Sequence, residues 1–303
     1  PQPAPTPTPA RISFAPGATW ATVEGNLPAD GVHDYILGIA RGQLLDVVIS
    51  PSEAVDLSIL GADGTVLLSA ANGESSFRGT VPSTQDYILA LSAENGPISY
   101  TMDVIVPAQI SFAPGTTSAE VQGDLAANGV QYYLVQATAD QLMEVSIAPQ
   151  EEIRLSIYGA DGTAIMTGES SDPFFRGTLP STQDYILALA AAPGPVSYTM
   201  DVIIPARISF APDATSAVVQ GNLPPHSVQY YILGARAGQQ MAVSVAPEGS
   251  VRLSIYGVDG DVLWSGMGEG SSFQGTVPTT QDYIIALGTA DQAVAYTMQV
   301  TIP

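Results

Sequence analysis

Apolar and polar residues alternate along this chain in short runs, and Gly, Pro, Asn or Asp punctuates almost every one. A period of two sends successive side chains to opposite faces of a strand, so the pattern predicts half-buried β-strands and no helix. In the first part of the chain the expected strands are Arg11–Phe14, Trp20–Leu27, Asp34–Ala40, Leu44–Ser50, Val55–Leu60, Val66–Leu68, Phe77–Val81, Tyr87–Ser92 and Ser99–Val106. Asp63-Gly64, set between two of these runs, predicts a two-residue hairpin of type I′, which needs φ > 0 at both central positions.

The pattern then repeats. Phe77-Arg78-Gly79-Thr80-Val81-Pro82-Ser83-Thr84-Gln85-Asp86-Tyr87 recurs from Phe175 to Tyr185 and from Phe273 to Tyr283. Arg11, Gln109 and Arg207 are equivalent, with a step of 98 residues (109 − 11 and 207 − 109). One period throughout gives a Pro-rich tail, 1–9, and three units, 10–107, 108–205 and 206–303. Each unit is long enough to bury a core of its own. The expected fold is therefore all-β: three tandem antiparallel sandwiches of Greek-key or jelly-roll type behind a Pro-rich N-terminal tail.

Two shared residue sets read as structural. Asp86-Tyr87, Asp184-Tyr185 and Asp282-Tyr283 sit where a chain leaving a strand at Pro turns back into the next. A tyrosine there can return its hydroxyl to the backbone upstream, as in a tyrosine corner. Asp63-Gly64, Asp161-Gly162 and Asp259-Gly260 are the hairpin turns.

Val106-Pro107-Ala108 and Ile204-Pro205-Ala206 join the units with almost no linker, which predicts a semi-rigid rod on the order of 100 Å long if the units follow one another end to end. The tail Pro1–Pro9 favours polyproline II, and Thr6 and Thr8 within it are candidates for O-glycosylation. The repeat phase raises head-to-tail assembly, with Pro303 meeting the start of another copy and Pro1–Pro9 lying beside the joint; Pro1, Pro9 and Pro303 are the candidate assembly positions.

Charge narrows the function. There are 29 acidic residues against 8 Arg and no Lys, and the net charge is −21. Such a chain repels nucleic acid and anionic bilayers. No run approaches the length a membrane helix needs. Cysteine is absent, so no disulfide or thiol chemistry arises, and compartment cannot be read from redox usage. A chain beginning at Pro1 suggests a processed, exported form, extracellular or at the cell surface.

Catalytic chemistry finds no support in the comparison of copies. His33 aligns with Gln131 and Gln229, and His226 with Asp30 and Asn128, so no Ser-His-Asp set recurs. No cofactor is expected, and no dedicated metal site; weak calcium binding at Glu169–Asp172 and Glu269 remains open. The tyrosines 35, 133 and 231 and their partners 100, 198 and 296 read as core residues with satisfied hydroxyls. Trp20, aligned with Ser118 and Ser216, reads as an exposed extra, and Trp264 as packing.

The runs Asp34-Tyr35-Ile36-Leu37, Ala40-Arg41-Gly42-Gln43, Leu57-Ser58-Ile59, Asp63-Gly64 and Asp86-Tyr87 resemble the bacterial pre-peptidase C-terminal domain. Unit 3 is also similar to the periplasmic inhibitors of g-type lysozyme, through Arg207-Ile208-Ser209-Phe210-Ala211-Pro212, Tyr231–Gln239, Phe273–Pro278 and Tyr296-Thr297-Met298. These resemblances imply a secreted β-sandwich, and the second implies lysozyme inhibition through an Arg-bearing loop before the last strand. Here the equivalent loops, 93–97, 191–195 and 289–293, carry no Arg. The resulting expectation is an exported, non-catalytic structural protein, a rod serving as a stalk or a head-to-tail filament subunit. The alternatives are a binding module for a polysaccharide or protein, and a lysozyme inhibitor.

Overall fold

The computed structural model describes residues 9–51, 55–93, 97–168, 173–266 and 270–303. The tail with Pro1, Thr6 and Thr8, and the acidic positions Glu169–Asp172 and Glu269, lie outside the described residues.

In unit 1 the strands are β1 (Ala10–Arg11), β2 (Trp20–Leu27), β3 (Val32–Ile39), β4 (Leu44–Ser50), β5 (Asp56–Gly61), β6 (Val66–Leu68), β7 (Ser76–Thr80), β8 (Gln85–Ser92) and β9 (Ile98–Ile105). They form one sheet of order β1-β3-β8-β5-β6 and a second of order β2-β9-β4-β7. Without β1, these are the two interlocked four-stranded sheets of a jelly roll. β1 adds to the edge of the first sheet by a parallel pairing, Ala10 opposite Tyr35 and Arg11 opposite Ile36. The same two orders recur in units 2 and 3, so the chain is three all-β sandwiches in tandem.

Alternation builds each core. In β5 Leu57 and Ile59 point inward beside Tyr87 and Leu89 of the neighbouring strand β8 and meet Met102 of β9 from across the sandwich, all of them fully buried. Equivalent clusters fill units 2 and 3, around Leu155 and Tyr185 and around Leu253 and Tyr283.

The hairpin differs from its expected form. Gly64 has φ +87, but Asp63 does not enter the left-handed region. Gly64 N–H donates to Gly61 O at 2.9 Å, and Gly61 N–H donates to Thr65 O at 2.7 Å. This is a three-residue loop closed by a left-handed glycine, and it shifts the pairing register between Ile59 and Leu60. Asp63 stays at negative φ because its carboxylate accepts the Thr65 N–H at 2.8 Å. Asp161 and Asp259 do the same with Thr163 and Asp261.

The units do not follow one another end to end. The outer face of the four-stranded sheet in one unit packs on the outer face of the five-stranded sheet in the next, through Leu44 with Leu134 and Ile186, then through Leu142 with Ile232 and Ile284. Stacked sheets lie about 10 Å apart, so six layers give a stack on the order of 60 Å, shorter than end-to-end units would be. The chain still exposes 15368 Å², against about 12,000 Å² for a compact monomer of this mass. It is an elongated body.

Candidate functional site: two joints and two free faces

β4 shows how a joint is made. Leu45, Val47 and Ile49 fill the core, and Leu44 and Asp46 point the other way, yet all five are buried. The outward pair is covered by unit 2: Leu44 packs on Leu134 and Ile186, with Tyr132 against the cluster. The second joint repeats this with Leu142 on Ile232 and Ile284, and Tyr230 and Tyr256 beside them. A threonine hydroxyl bonded to a backbone amide of the next unit helps lock each register. Thr19 Oγ1 accepts the Tyr132 N–H at 2.8 Å, and Thr117 Oγ1 accepts the Tyr230 N–H at 2.7 Å. Both threonines are buried, as are the linker prolines Pro107 and Pro205.

Beside the leucine lies an ion pair. Arg78 Nη2 is 2.7 Å from Asp46 Oδ2, and Arg176 Nε is 2.7 Å from Glu144 Oε2. Arg176 also lies between two rings, 5.2 Å from the centroid of Phe174 in its own unit and 5.2 Å from that of Tyr256 in the next. Its Nη1 approaches the hairpin of unit 3, where a Cβ on Gly260 would stand 3.7 Å away. Arg78 reaches Gly162 of unit 2 in the same way. The Asp-Gly hairpins of units 2 and 3 thus belong to the joints. Nothing in one unit's pattern signals this; the clue is that the Arg is present at 78 and 176 and absent at 274.

Burial at the joints acts on their tyrosines. Desolvation first, then the nearby carboxylates Asp103 and Asp46, pushes the Tyr132 phenol above its ordinary pKa. Tyr230 is pushed up by burial, then by Glu144 and Asp201, and Tyr256 by burial, then by Glu144.

The two outer sheet faces that pack on no other unit among the described residues have changed composition. On the outer face of unit 3, Gln240, Ala242 and Gln274 stand where the joints have Leu, an acid and Arg, and the strand Gln240–Ala246 alternates cleanly between exposed and buried. On the outer face of unit 1, Asp34 and Leu60 replace the tyrosines of units 2 and 3. Ile36 and Ile88 keep the apolar character of their buried counterparts but are half-exposed. Pro303 is exposed beyond the last strand, and Pro9 is half-buried just ahead of β1.

The other predicted residues fall within single units. Tyr87, Tyr185 and Tyr283 are buried, and their hydroxyls donate to Ser83 O at 2.9 Å, Ser181 O at 2.7 Å and Thr279 O at 2.9 Å. Asp86 accepts both ends of the Arg11 guanidinium, at 3.1 and 2.6 Å, and Asp282 accepts Arg207 likewise. Those hydrogen bonds, above all, hold the Asp86 carboxyl below its ordinary pKa. In unit 2 Gln109 stands at the position of that Arg and its Nε2 donates to Ile110 O and Leu134 O, and burial pushes the Asp184 carboxyl up. The pairs Tyr35–Tyr100 and Tyr133–Tyr198 join the two sheets of a sandwich by hydroxyl contacts of 2.6 and 2.5 Å, and Tyr231–Tyr296 does the same. His33 Nδ1 lies 2.8 Å from the Tyr100 hydroxyl, whereas His226 is exposed in a loop of unit 3 beside Asp291. The two histidines share no site. Among the described residues no cluster of three or more His, Asp or Glu is arranged to hold a metal, and no helix is long and apolar enough to cross a membrane. Trp264 tilts against Phe273 at 6.0 Å. Trp20 is half-buried beside unit 2 instead of standing free.

No protein-family model matches this sequence, and no curated protein matches it. Solved structures do. The periplasmic inhibitor of g-type lysozyme, PliG, from Aeromonas hydrophila is 21% identical over 33% of this chain and 96% of its own, with a TM-score of 0.30. PliG of Salmonella Typhimurium is 23% identical over 33% and 97%, with a TM-score of 0.28. A mutant PliG of Escherichia coli is 17% identical over 33% and 97%, with a TM-score of 0.26.

Proposed function

We propose that this chain is an exported, non-catalytic structural protein, a short semi-rigid rod that holds whatever its two ends carry at a fixed separation. The observation that carries the reading is the repetition of one joint. Both joints use an outward leucine, an acid–Arg pair, a threonine bonded to a tyrosine amide, and a Pro-Ala linker with its proline buried. Domains with little shared surface move freely by default, and a packed apolar contact with buried polar groups opposes that. Small-angle scattering tests it: the account expects a rigid, elongated particle, and a broad spread of interdomain angles would overturn it.

Of the two uses of such a rod, the faces favour a capped stalk over a filament built by copying the internal joint. A head-to-tail contact would set Gln240, Ala242 and Gln274 against Asp34, Ile36 and Leu60, with no counterpart of Leu44 and Leu142, no ion pair and no Arg–Tyr stacking. A face that lacks the apolar and ionic set of the joints needs no covering partner to stay soluble. The half-exposed Ile36 and Ile88 support the second reading, in which another copy sits on unit 1 through a weaker, unlike joint. Sedimentation across a concentration series separates the two readings: a constant monomer supports the stalk, and growing chains support the filament.

A further inference from the structure

We propose that the first joint also carries a binding groove for a neutral glycan chain, with Trp20 as its stacking platform. Where unit 1 meets unit 2, a cleft of about 570 Å³ opens between the loop Ala15–Ala18 with Trp20 and the strand edges around Gln122, Asp124 and Gln131. A second hollow of about 410 Å³ shares Gln122, Gly123, Asp124 and Tyr198 with it, so the two run on as one elongated groove. Clefts at domain boundaries with an apolar wall and a few convergent polar groups are where ligands bind.

Each part of the cleft fits one chemistry. The fold does not require Trp20, since Ser118 and Ser216 hold the same position in units 2 and 3. A half-buried indole offers an apolar face to the C–H face of a sugar ring and an N–H to its oxygens. Gln122 and Asp124 are exposed along the groove. Gln122 Nε2 donates to Glu120 Oε1 at 2.8 Å and Asp124 Oδ1 accepts the Ser197 hydroxyl at 2.5 Å, so Gln122 Oε1 and Asp124 Oδ2 are the acceptors turned to sugar hydroxyls. Gln131 Nε2 donates to Gly17 O at 3.1 Å, which ties the loop before Trp20 to unit 2. No Arg lines the groove, its one ionisable carboxylate is Asp124, and the chain carries −21 overall. An anionic chain is thereby repelled and a neutral one accepted. At the second joint the equivalents are Ser118, Gln220, Asn222 and Gln229, which keep polar groups and lack the platform. The stoichiometry is one site per chain.

The experiment is calorimetric titration of the full chain with cellohexaose, chitohexaose, mannohexaose and maltohexaose, and with a hexamer of galacturonate as the anionic probe. The expected result is binding of at least one neutral hexaose at one site, little or none of the galacturonate, and loss of about tenfold or more in affinity in Trp20→Ser. Trp20→Ser installs the residue of the other units and should melt like the parent, and Trp264→Phe should bind as the parent does. No heat from any neutral hexaose at about 5 mM, or equal affinity in Trp20→Ser, or equal affinity for the galacturonate, would overturn the proposal. The groove needs the first joint closed, so the titrated sample is also checked by scattering: failure to bind in a rigid chain counts against the groove alone.

Discussion

The inner faces and the end faces of this molecule are built on one scaffold and differ at a handful of positions. Leu44 and Leu142 become Gln240, Asp46 and Glu144 become Ala242, Arg78 and Arg176 become Gln274, and Tyr132 and Tyr230 become Asp34 at the other end. Threonine stays throughout, at 19, 117 and 215, but it is buried at the joints and exposed at the end. On the four-stranded sheets, among the described residues, the outward leucine and the acid–Arg pair beside it occur only where a neighbour covers them. The reason is energetic: an exposed apolar patch invites unwanted association, and an acid–Arg pair gains little in water. The comparison teaches which residues serve the joint and which serve the sandwich.

The largest effect expected comes from rebuilding the ends as joints. Asp34→Tyr, Leu60→Tyr, Gln240→Leu, Ala242→Glu and Gln274→Arg together should drive head-to-tail oligomerisation beyond whatever the parent shows, read by sedimentation of both. A variant that stays as the parent breaks the claim that these positions make a joint. Next in size, Arg176→Gln leaves Glu144 buried without its partner and should weaken the second joint by about 3 kcal/mol. The double variant Glu144→Ala with Arg176→Gln copies the free face of unit 3 and should cost clearly less, a difference that chemical unfolding can read.

Tyr185→Phe comes third. Its hydroxyl is buried and donates to Ser181 O at 2.7 Å, so unit 2 should lose roughly 1–2 kcal/mol while the joints hold. If the joints loosen instead, corner and joint are not separate features. The smallest effect is a pH dependence. Burial raises the phenol pKa of Tyr132 and Tyr230, so the packed state prefers the neutral form. Its contribution is complete below the ordinary tyrosine value of about 10 and is lost as pH rises through the raised one. Both joints should therefore loosen at alkaline pH, and Tyr132→Phe with Tyr230→Phe should delay the loosening seen by scattering.

Much of the fold is legible in the sequence because a period of two and turn residues at a constant spacing are local signals. Trp20–Leu27, Leu44–Ser50 and Val66–Leu68 fall where the pattern puts them, and the others shift by a residue or two except β1, which ends at Arg11 because only Ala10 and Arg11 pair with β3. The jelly-roll order is not local: it depends on pairings such as β2 with β9, which no turn motif encodes. The hairpin type was misread from Asp-Gly alone, since Asp63 prefers to accept Thr65 N–H over turning left-handed. The joints were hardest to read. Leu44-Leu45-Asp46-Val47 reads as one buried strand, and its outward half acquires meaning only beside Gln240-Met241-Ala242-Val243, where alternation returns. Trp20 was likewise legible as an extra, but the cleft beside it is made by two units together.

The central claim is that the joints fix the units relative to one another. The chain has no cysteine, so spin labels can be placed singly at Val66→Cys and Val262→Cys, equivalent and well-exposed positions in units 1 and 3 at 57% and 69%. The pulsed electron–electron distance between them should be one narrow peak, broadened when Leu142→Asp buries a charge against Ile232 and Ile284. A broad distribution in the parent chain, unchanged by Leu142→Asp, would contradict the account.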